Sequence, residues 1–86
     1  MRASAFEYWA HRHGGIGTPS ARSYVSYLAT VENDYRIDLD ADWKASQLAY
    51  VRGLLSSDRT LNGNTRRNRL SALSKYEDFC SATGSH

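Results

Sequence analysis

The stretch "NTRRNRLSALSK", residues 64 to 75, holds Arg66, Arg67, Arg69 and Lys75 and no acid. A guanidinium is planar, always charged and fork-shaped, which suits it to phosphate oxygens. Leu70 and Leu73 are three apart and lead into Tyr76, Phe79 or Cys80, the spacing of a helix that buries one side. Arg66, Arg67, Ser71, Ser74 and Lys75 then point away from that side. Two readings follow: a helix that offers its basic face to a polyanion, or an ordinary solvated surface rich in arginine. Two helix starts favour the first. Around Thr18 and around Asn64, small polar groups would stand beside free backbone N–H donors. Arg22 follows the first start, and Arg66 and Arg67 follow the second.

Other reactive residue types carry less. His11 and His13 are two apart, so on a helix they diverge by about 200° and share no metal without outside help. At a helix end they favour the dipole instead. The single Cys80 allows no internal disulfide, has no histidine partner in sequence, and reads as a small buried residue. "GGIG" lacks the Lys and Ser/Thr of a phosphate-cradling loop and follows no strand, so it is a turn. Glu32, Asp34, Asp38, Asp40 and Asp42 lack the glycine and terminal glutamate of a calcium loop. They read as a solvated linker. No catalytic residue, metal site or cofactor is expected.

Four helical segments must position the basic residues. The first, "SAFEYWAHRH", repeats Phe6, Trp9, Ala10 and His13 at helical spacing, with Ser4 as its N-cap, and the glycines of "GGIG" stop it. The second opens at "TPSARSYVSYLATVENDY", Thr18 capping and Pro19 in the first turn, where its missing N–H costs nothing. Ala21, Tyr24, Val25, Leu28, Val31 and Tyr35 form its apolar stripe. The third takes Asp40 as N-cap with Asp42 near the positive helix end, and buries Trp43, Leu48, Val51, Leu54 and Leu55. Asn64 or Thr65 caps the fourth. The expected fold is all-α, a compact four-helix bundle over residues 4–81, with 82–86 as a frayed tail. Its core is Phe6, Trp9, Tyr24, Val25, Leu28, Trp43, Leu48, Val51, Leu54, Leu70, Leu73 and Tyr76.

Composition agrees with one small domain. The chain has 86 residues, 41% of them hydrophobic, and among them two tryptophans, six tyrosines and two phenylalanines. That suffices for a core without staples and argues against disorder. Lone Cys80 fits a reducing compartment, and no apolar run nears the roughly 18–20 residues that span a bilayer. A cytoplasmic protein without membrane or small-molecule partner is expected. The net charge of +2 says little, but its distribution places acids in 32–42 and cations in 59–75.

These segments also resemble a known module. "FEYWAHRHGGIGTPSARSYVSYLATVE" is similar to the opening of the N-terminal core-binding domain of tyrosine recombinases and phage integrases. "DWKASQLAYVRGLLSS" looks like that family's third helix, and "NTRRNRLSALSKYEDF" like its fourth. The resemblance spans about residues 5 to 80 and rests on helical patterns with few invariant chemical residues. It implies a SAM-like four-helix fold whose second and fourth helices face the major groove and adjoining phosphates of duplex DNA. Carried onto this chain, the contacting positions are Thr18, Ser20, Arg22, Ser23 and Ser26, then Thr65, Arg66, Arg67, Ser71 and Lys75. The family's enzymes use a second domain with an arginine–lysine–histidine set and a nucleophilic tyrosine, which nothing here could hold. The expectation is a DNA-binding module without catalytic activity, either part of a larger protein or a stand-alone relative. Its partners would be double-stranded DNA and a catalytic domain or second copy. The alternative is a protein-interaction bundle docking through its aromatic first helix.

Overall fold

The computed structural model of the chain describes residues 1–39 and 45–83. They form a compact all-α bundle: α1 (Ala3–Arg12), α2 (Thr18–Tyr35), α3 (Ala45–Ser57) and α4 (Gly63–Thr83). There is no strand among the described residues. α4 packs against each of the other three helices, and its contact with α2 is the broadest.

The turns follow from local chemistry. After α1 the chain reverses through Gly14 and Gly15. A β-carbon on Gly14 would sit 2.9 Å from the Ala10 carbonyl oxygen, and Gly15 adopts a φ of 67°. Side-chained residues fit neither position without strain. Pro19 stands in the first turn of α2, and Gly17 rather than Thr18 is the N-cap residue. α2 ends on Arg36, which takes left-handed φ 54° and sends its N–H to the Glu32 carbonyl. That conformation usually belongs to glycine.

Each helix contributes an inward stripe. Phe6, Ala10, Ala21, Leu28, Val31, Leu39, Leu48, Val51, Leu55, Ala72, Leu73, Tyr76, Phe79 and Cys80 are buried. Phe79 and Cys80 both point inward. Trp9, Tyr24, Val25 and Leu70, expected in the centre, are half-buried at its margin. Leu54 is half-buried as well. Small residues take the centre instead: Ala10, Ala21 and Ala72 let the backbones approach closely. Trp43, Asp40 and Asp42 lie outside the described residues.

The N-terminal boundary also differs from expectation. Ser4 does not cap α1; the helix starts at Ala3, Arg2 is the N-cap residue without a side-chain cap bond, and the Arg2 carbonyl accepts from Phe6 N–H. The reason is tertiary. Arg2 N–H donates to the Tyr76 hydroxyl at 3.1 Å, and its guanidinium lies 4.7 Å from the centre of the Phe79 ring. The Met1 ammonium sits between Glu32 (2.9 Å) and Asp38 (3.0 Å). Burial pulls this ammonium's pKa down, but hydrogen bonds and charge from Glu32 and Asp38 raise it on balance above its ordinary 8.0. At the other end α4 runs to Thr83, beyond the expected limit at residue 81.

Leu28 on α2 and Leu73 on α4 are both fully buried. Leu28→Ala or Leu73→Ala should each lower unfolding free energy by about 2–5 kcal/mol. Urea melts are the check, and parent-like midpoints in both variants would show these stripes to be misassigned.

Candidate nucleic-acid interface

The basic segment begins at a cap that the sequence pattern placed too late. Asn62, not Asn64 or Thr65, closes the first turn of α4: its Oδ1 accepts from Thr65 N–H at 2.8 Å, and its carbonyl accepts from Arg66 N–H at 3.0 Å. Asn62 to Thr65 is the N-cap-to-N3 spacing, so the signal was present. The intervening Gly63 reads as a helix breaker and obscured it.

From this start, about 100° per residue sets which side chains face out. Ala72, Leu73, Tyr76, Phe79 and Cys80 are the inward stripe. Arg67, Ser71, Ser74 and Asp78 recur at i, i+4, i+7 and i+11 along the opposite side, and all four are exposed. Lys75 flanks this line, half-buried. Gly63, Arg66, Arg67, Leu70, Ser71 and Ser74 line a shallow hollow of about 330 Å³ whose apolar floor is Leu70. Ser74 and Gly63 were not among the expected contact residues. The first three turns of this face carry no acid; Asp78 is the first to interrupt it.

Arg66 is held differently from Arg67. Its Nε–H donates to the Leu55 carbonyl at 3.1 Å, and Nη2 donates to the carbonyls of Asp58 at 2.6 Å and Leu61 at 3.3 Å. These oxygens belong to the last turn of α3 and the α3–α4 connection, where helical partners run out. Arg66 therefore ties α3 to α4 with its charged group turned toward the turn. Thr65 is half-buried and its N–H already serves the cap. Of the expected positions on α4, Arg67 and Ser71 are the openly exposed ones.

On α2, Thr18, Ser20, Arg22, Ser23 and Ser26 are all exposed. Ser23 lies three turns before Asp34 on the same edge of the helix, and Asp34 reaches Arg69 of α4 at 3.0 Å. The end of α2 therefore lies beside the start of α4. Ser23 gives its hydroxyl hydrogen to the Pro19 carbonyl at 3.1 Å. Arg22 leans the other way, toward α1, with Nε 3.8 Å from Glu7; at 75% exposure that pair is weak and solvent-screened. The histidine end of α1 meets the same region: His11 Nδ1 lies 3.1 Å from the Ile16 carbonyl oxygen and 3.5 Å from the Thr18 hydroxyl.

The acidic stretch is not merely a solvated linker. Glu32 Oε2 accepts from Leu39 N–H at 2.8 Å as well as from the Met1 ammonium, so this carboxylate gathers the start of the chain and the segment after α2. Asp34 holds Arg69, which is only 12% exposed. Arg52 of α3 pairs with Glu77 of α4 at 2.6 Å. These ion-paired partners, Met1 and Asp38 included, are 25 to 37 residues apart, beyond the reach of local pattern. One consequence bears on the interface: Glu32, Asp34 and Asp38 are drawn to cations of the fold.

A second polar node closes the far end of α2. Tyr35 donates its hydroxyl hydrogen to Asp58 Oδ2 at 2.8 Å, and Asp58 also accepts from the N–H and hydroxyl of Thr60. Burial, then the bond to Asp58, pushes the Tyr35 phenol up to about 12 from its ordinary 10.0. Hydrogen bonds from Thr60 and then Tyr35 hold the Asp58 carboxyl below the usual carboxylate range. Beside this node Tyr35, Tyr50, Gly53, Leu54, Ser57 and Asp58 line an open hollow of about 530 Å³. Large exposed apolar side chains among the described residues are Tyr8 on α1 and Tyr50 on α3. Phe6 is buried and Trp9 half-buried, so the aromatic first helix turns most of its rings inward.

No family model, curated protein or solved structure matches this chain. Among the described residues, no helix is long and apolar enough to cross a membrane.

Two outcomes follow from these contacts. Arg66→Ala should cost about 1.5–3 kcal/mol, because a charged donor shared by three carbonyls at the α3–α4 connection is lost. Arg67→Ala should stay within about 0.5 kcal/mol of the parent, as exposed substitutions do. Chemical denaturation of the two variants side by side decides it, and equal losses would contradict the strut.

The second concerns pH. A phenol whose pKa is raised on folding binds its proton more tightly in the native state, so stability must fall as pH rises from 10 to about 12. Tyr35→Phe removes that contribution. Thermal melts across this window should show a steeper decline for the parent than for the variant; parallel declines would remove the Tyr35–Asp58 bond from the account.

Proposed function

We propose that this chain is a non-catalytic DNA-binding module, of the kind that opens tyrosine recombinases and integrases, which grips duplex DNA with α4 and the exposed start of α2. The observation that carries the reading is the outward line of α4. Arg67, Ser71 and Ser74 stand opposite the core, Lys75 flanks them, and the first three turns hold no acid. Such a face offers charge for phosphates and hydroxyls for phosphate or base edges.

α2 supplies the second support. Thr18, Ser20, Ser23 and Ser26 add small exposed hydroxyls on the helix that packs most broadly against α4. Arg22 extends this surface toward α1. The diversion of Glu32, Asp34 and Asp38 toward Met1 and Arg69 lessens the repulsion a polyanion would meet. Arg66 enters as the residue that fixes the angle of α4 on α3, with its neighbours making the phosphate contacts. A catalytic domain or a second copy of the chain would complete the grip.

Isolated, the module should bind duplex weakly, on the scale of roughly 10⁻⁴–10⁻⁶ M typical of mainly electrostatic association. Arg67→Ala and Lys75→Ala should each reduce the slope of log affinity against log salt by about 0.9. Arg36→Ala, at the end of α2 within the acidic stretch, is the control. Fluorescence titration of a labelled duplex at several salt concentrations makes the measurement. A folded parent without salt-sensitive binding sinks the proposal, as does a control that loses as much as the α4 variants.

A further inference from the structure

Asn62 and Gly63 stand where the chain enters α4, both exposed. The fold makes no steric demand for glycine at residue 63. Its φ is not left-handed, and a β-carbon there would meet nothing within 4 Å. Gly63 is the first residue of α4, where alanine would fit as well. A glycine that packing does not require therefore follows directly on an exposed asparagine. That pairing has its own chemistry. Asparagine is a chemically labile side chain, and a following residue without a β-carbon leaves its backbone nitrogen unshielded and the local backbone free to bend toward the side-chain amide.

We propose that Asn62–Gly63 is a self-modification site that lowers the affinity of the α4 face for polyanions. The Gly63 backbone nitrogen, losing its proton to solvent, attacks Asn62 Cγ. The Cγ–N bond to the side-chain amide breaks and ammonia leaves, closing a succinimide. Water then opens either carbonyl of that ring, giving aspartate or isoaspartate at residue 62. Either product carries a negative charge that asparagine lacks.

The structure gates this reaction. Asn62 Oδ1 is held by Thr65 N–H at 2.8 Å and the Asn62 carbonyl by Arg66 N–H at 3.0 Å. The first bond holds the side chain in its capping pose and the second holds the backbone in the helical turn, so cyclisation needs the first turn of α4 to open. Helix ends open locally far more often than whole domains unfold. The aspartate product keeps an oxygen for Thr65 N–H, and its charge favours the positive helix end, so the fold survives. The isoaspartate product lengthens the backbone by one carbon and disrupts the cap. In both, a negative charge now stands at the helix start and one turn from the Arg67 face. The effect on binding rests on the DNA reading above; the conversion does not.

The experiment has two arms on the full chain. In the first, parent and Gly63→Ala are held at mildly alkaline pH and body temperature, and peptide mass spectrometry follows conversion of each asparagine. Asn62 should convert faster than Asn33, Asn64 and Asn68, faster again in urea, and far more slowly in Gly63→Ala, which has room for its methyl group. Conversion at Asn62 no faster than at Asn64 and Asn68, or undiminished in Gly63→Ala, overturns the site. In the second arm, Asn62→Asp and parent are titrated with labelled duplex at low salt. Affinity about two- to fivefold weaker for the variant is expected from one charge at a helix end. Equal affinities overturn the regulatory effect. A folded parent that binds no duplex overturns the DNA reading and this effect together, while the mass spectra still decide the conversion.

Discussion

Tyr76 is the contact on which the bundle depends. It sits fully buried on α4, its ring centre 5.2 Å from Phe6 and 5.4 Å from Phe79, while its hydroxyl accepts the Arg2 N–H. Phe6 and Phe79 meet edge-on at 5.6 Å, and Trp9 adds its ring to Phe79 at 5.7 Å. Tilted and edge-to-face pairs of this kind add to simple area burial because ring edges are positive and faces negative. The cluster fixes α1 on α4. Leu73 and Ala72, one turn earlier, continue the same stripe. Since α1, α2 and α3 each pack on α4, the direction of this stripe sets the position of everything else. It also determines what α4 leaves outside: once Tyr76 and Leu73 are inside, Arg67, Ser71 and Ser74 must face solvent.

The ends of the helices are held by charge and hydrogen bonding, and the arrangement divides the cations into two groups. Arg2, Arg52, Arg66 and Arg69 each reach across the fold, to Phe79 and Cys80, to Glu77, to three carbonyls, and to Asp34. These side chains hold helices at fixed angles. Among the described residues Arg67 reaches no such partner, and Arg22 makes a long, screened approach to Glu7. Composition alone treats all of these residues as equivalent positive charge. The structure separates the ones that brace the bundle from the ones whose charge remains directed at solvent.

How far the sequence could be read follows from that division. Helix number, the inward stripes of Leu28, Leu48, Val51, Leu73 and Tyr76, and the outward direction of Arg67 and Ser71 are periodic features, so spacing alone reveals them. Arg66 was legible as outside the stripe, but not as a ligand of the Leu55, Asp58 and Leu61 carbonyls. Its role depends on the α3–α4 connection folding back, and no local rule specifies that. The acids were misread for the same reason: Glu32 and Asp34 find Met1 and Arg69 only after the helices assemble. Cap positions failed for two different reasons. At α1 the cap moved because Arg2 is anchored on Tyr76. At α4 it moved because Gly63 is accommodated within the helix.

The Asn62 turn joins these two levels. Its oxygen and carbonyl hold the first N–H groups of α4, and one turn later Arg66 fastens the same segment to the end of α3. Opening this turn therefore has to proceed against a charged hydrogen-bond set, although the residues involved are exposed or half-buried. Arg67 follows Arg66 directly, so its guanidinium starts from a backbone that is fixed on both sides. A side chain on a fixed base loses less freedom when it meets a ligand than one on a fraying end. The strut and the cap thus do for the outward face what Tyr76 does for the inward one: they limit the conformations from which contact can begin.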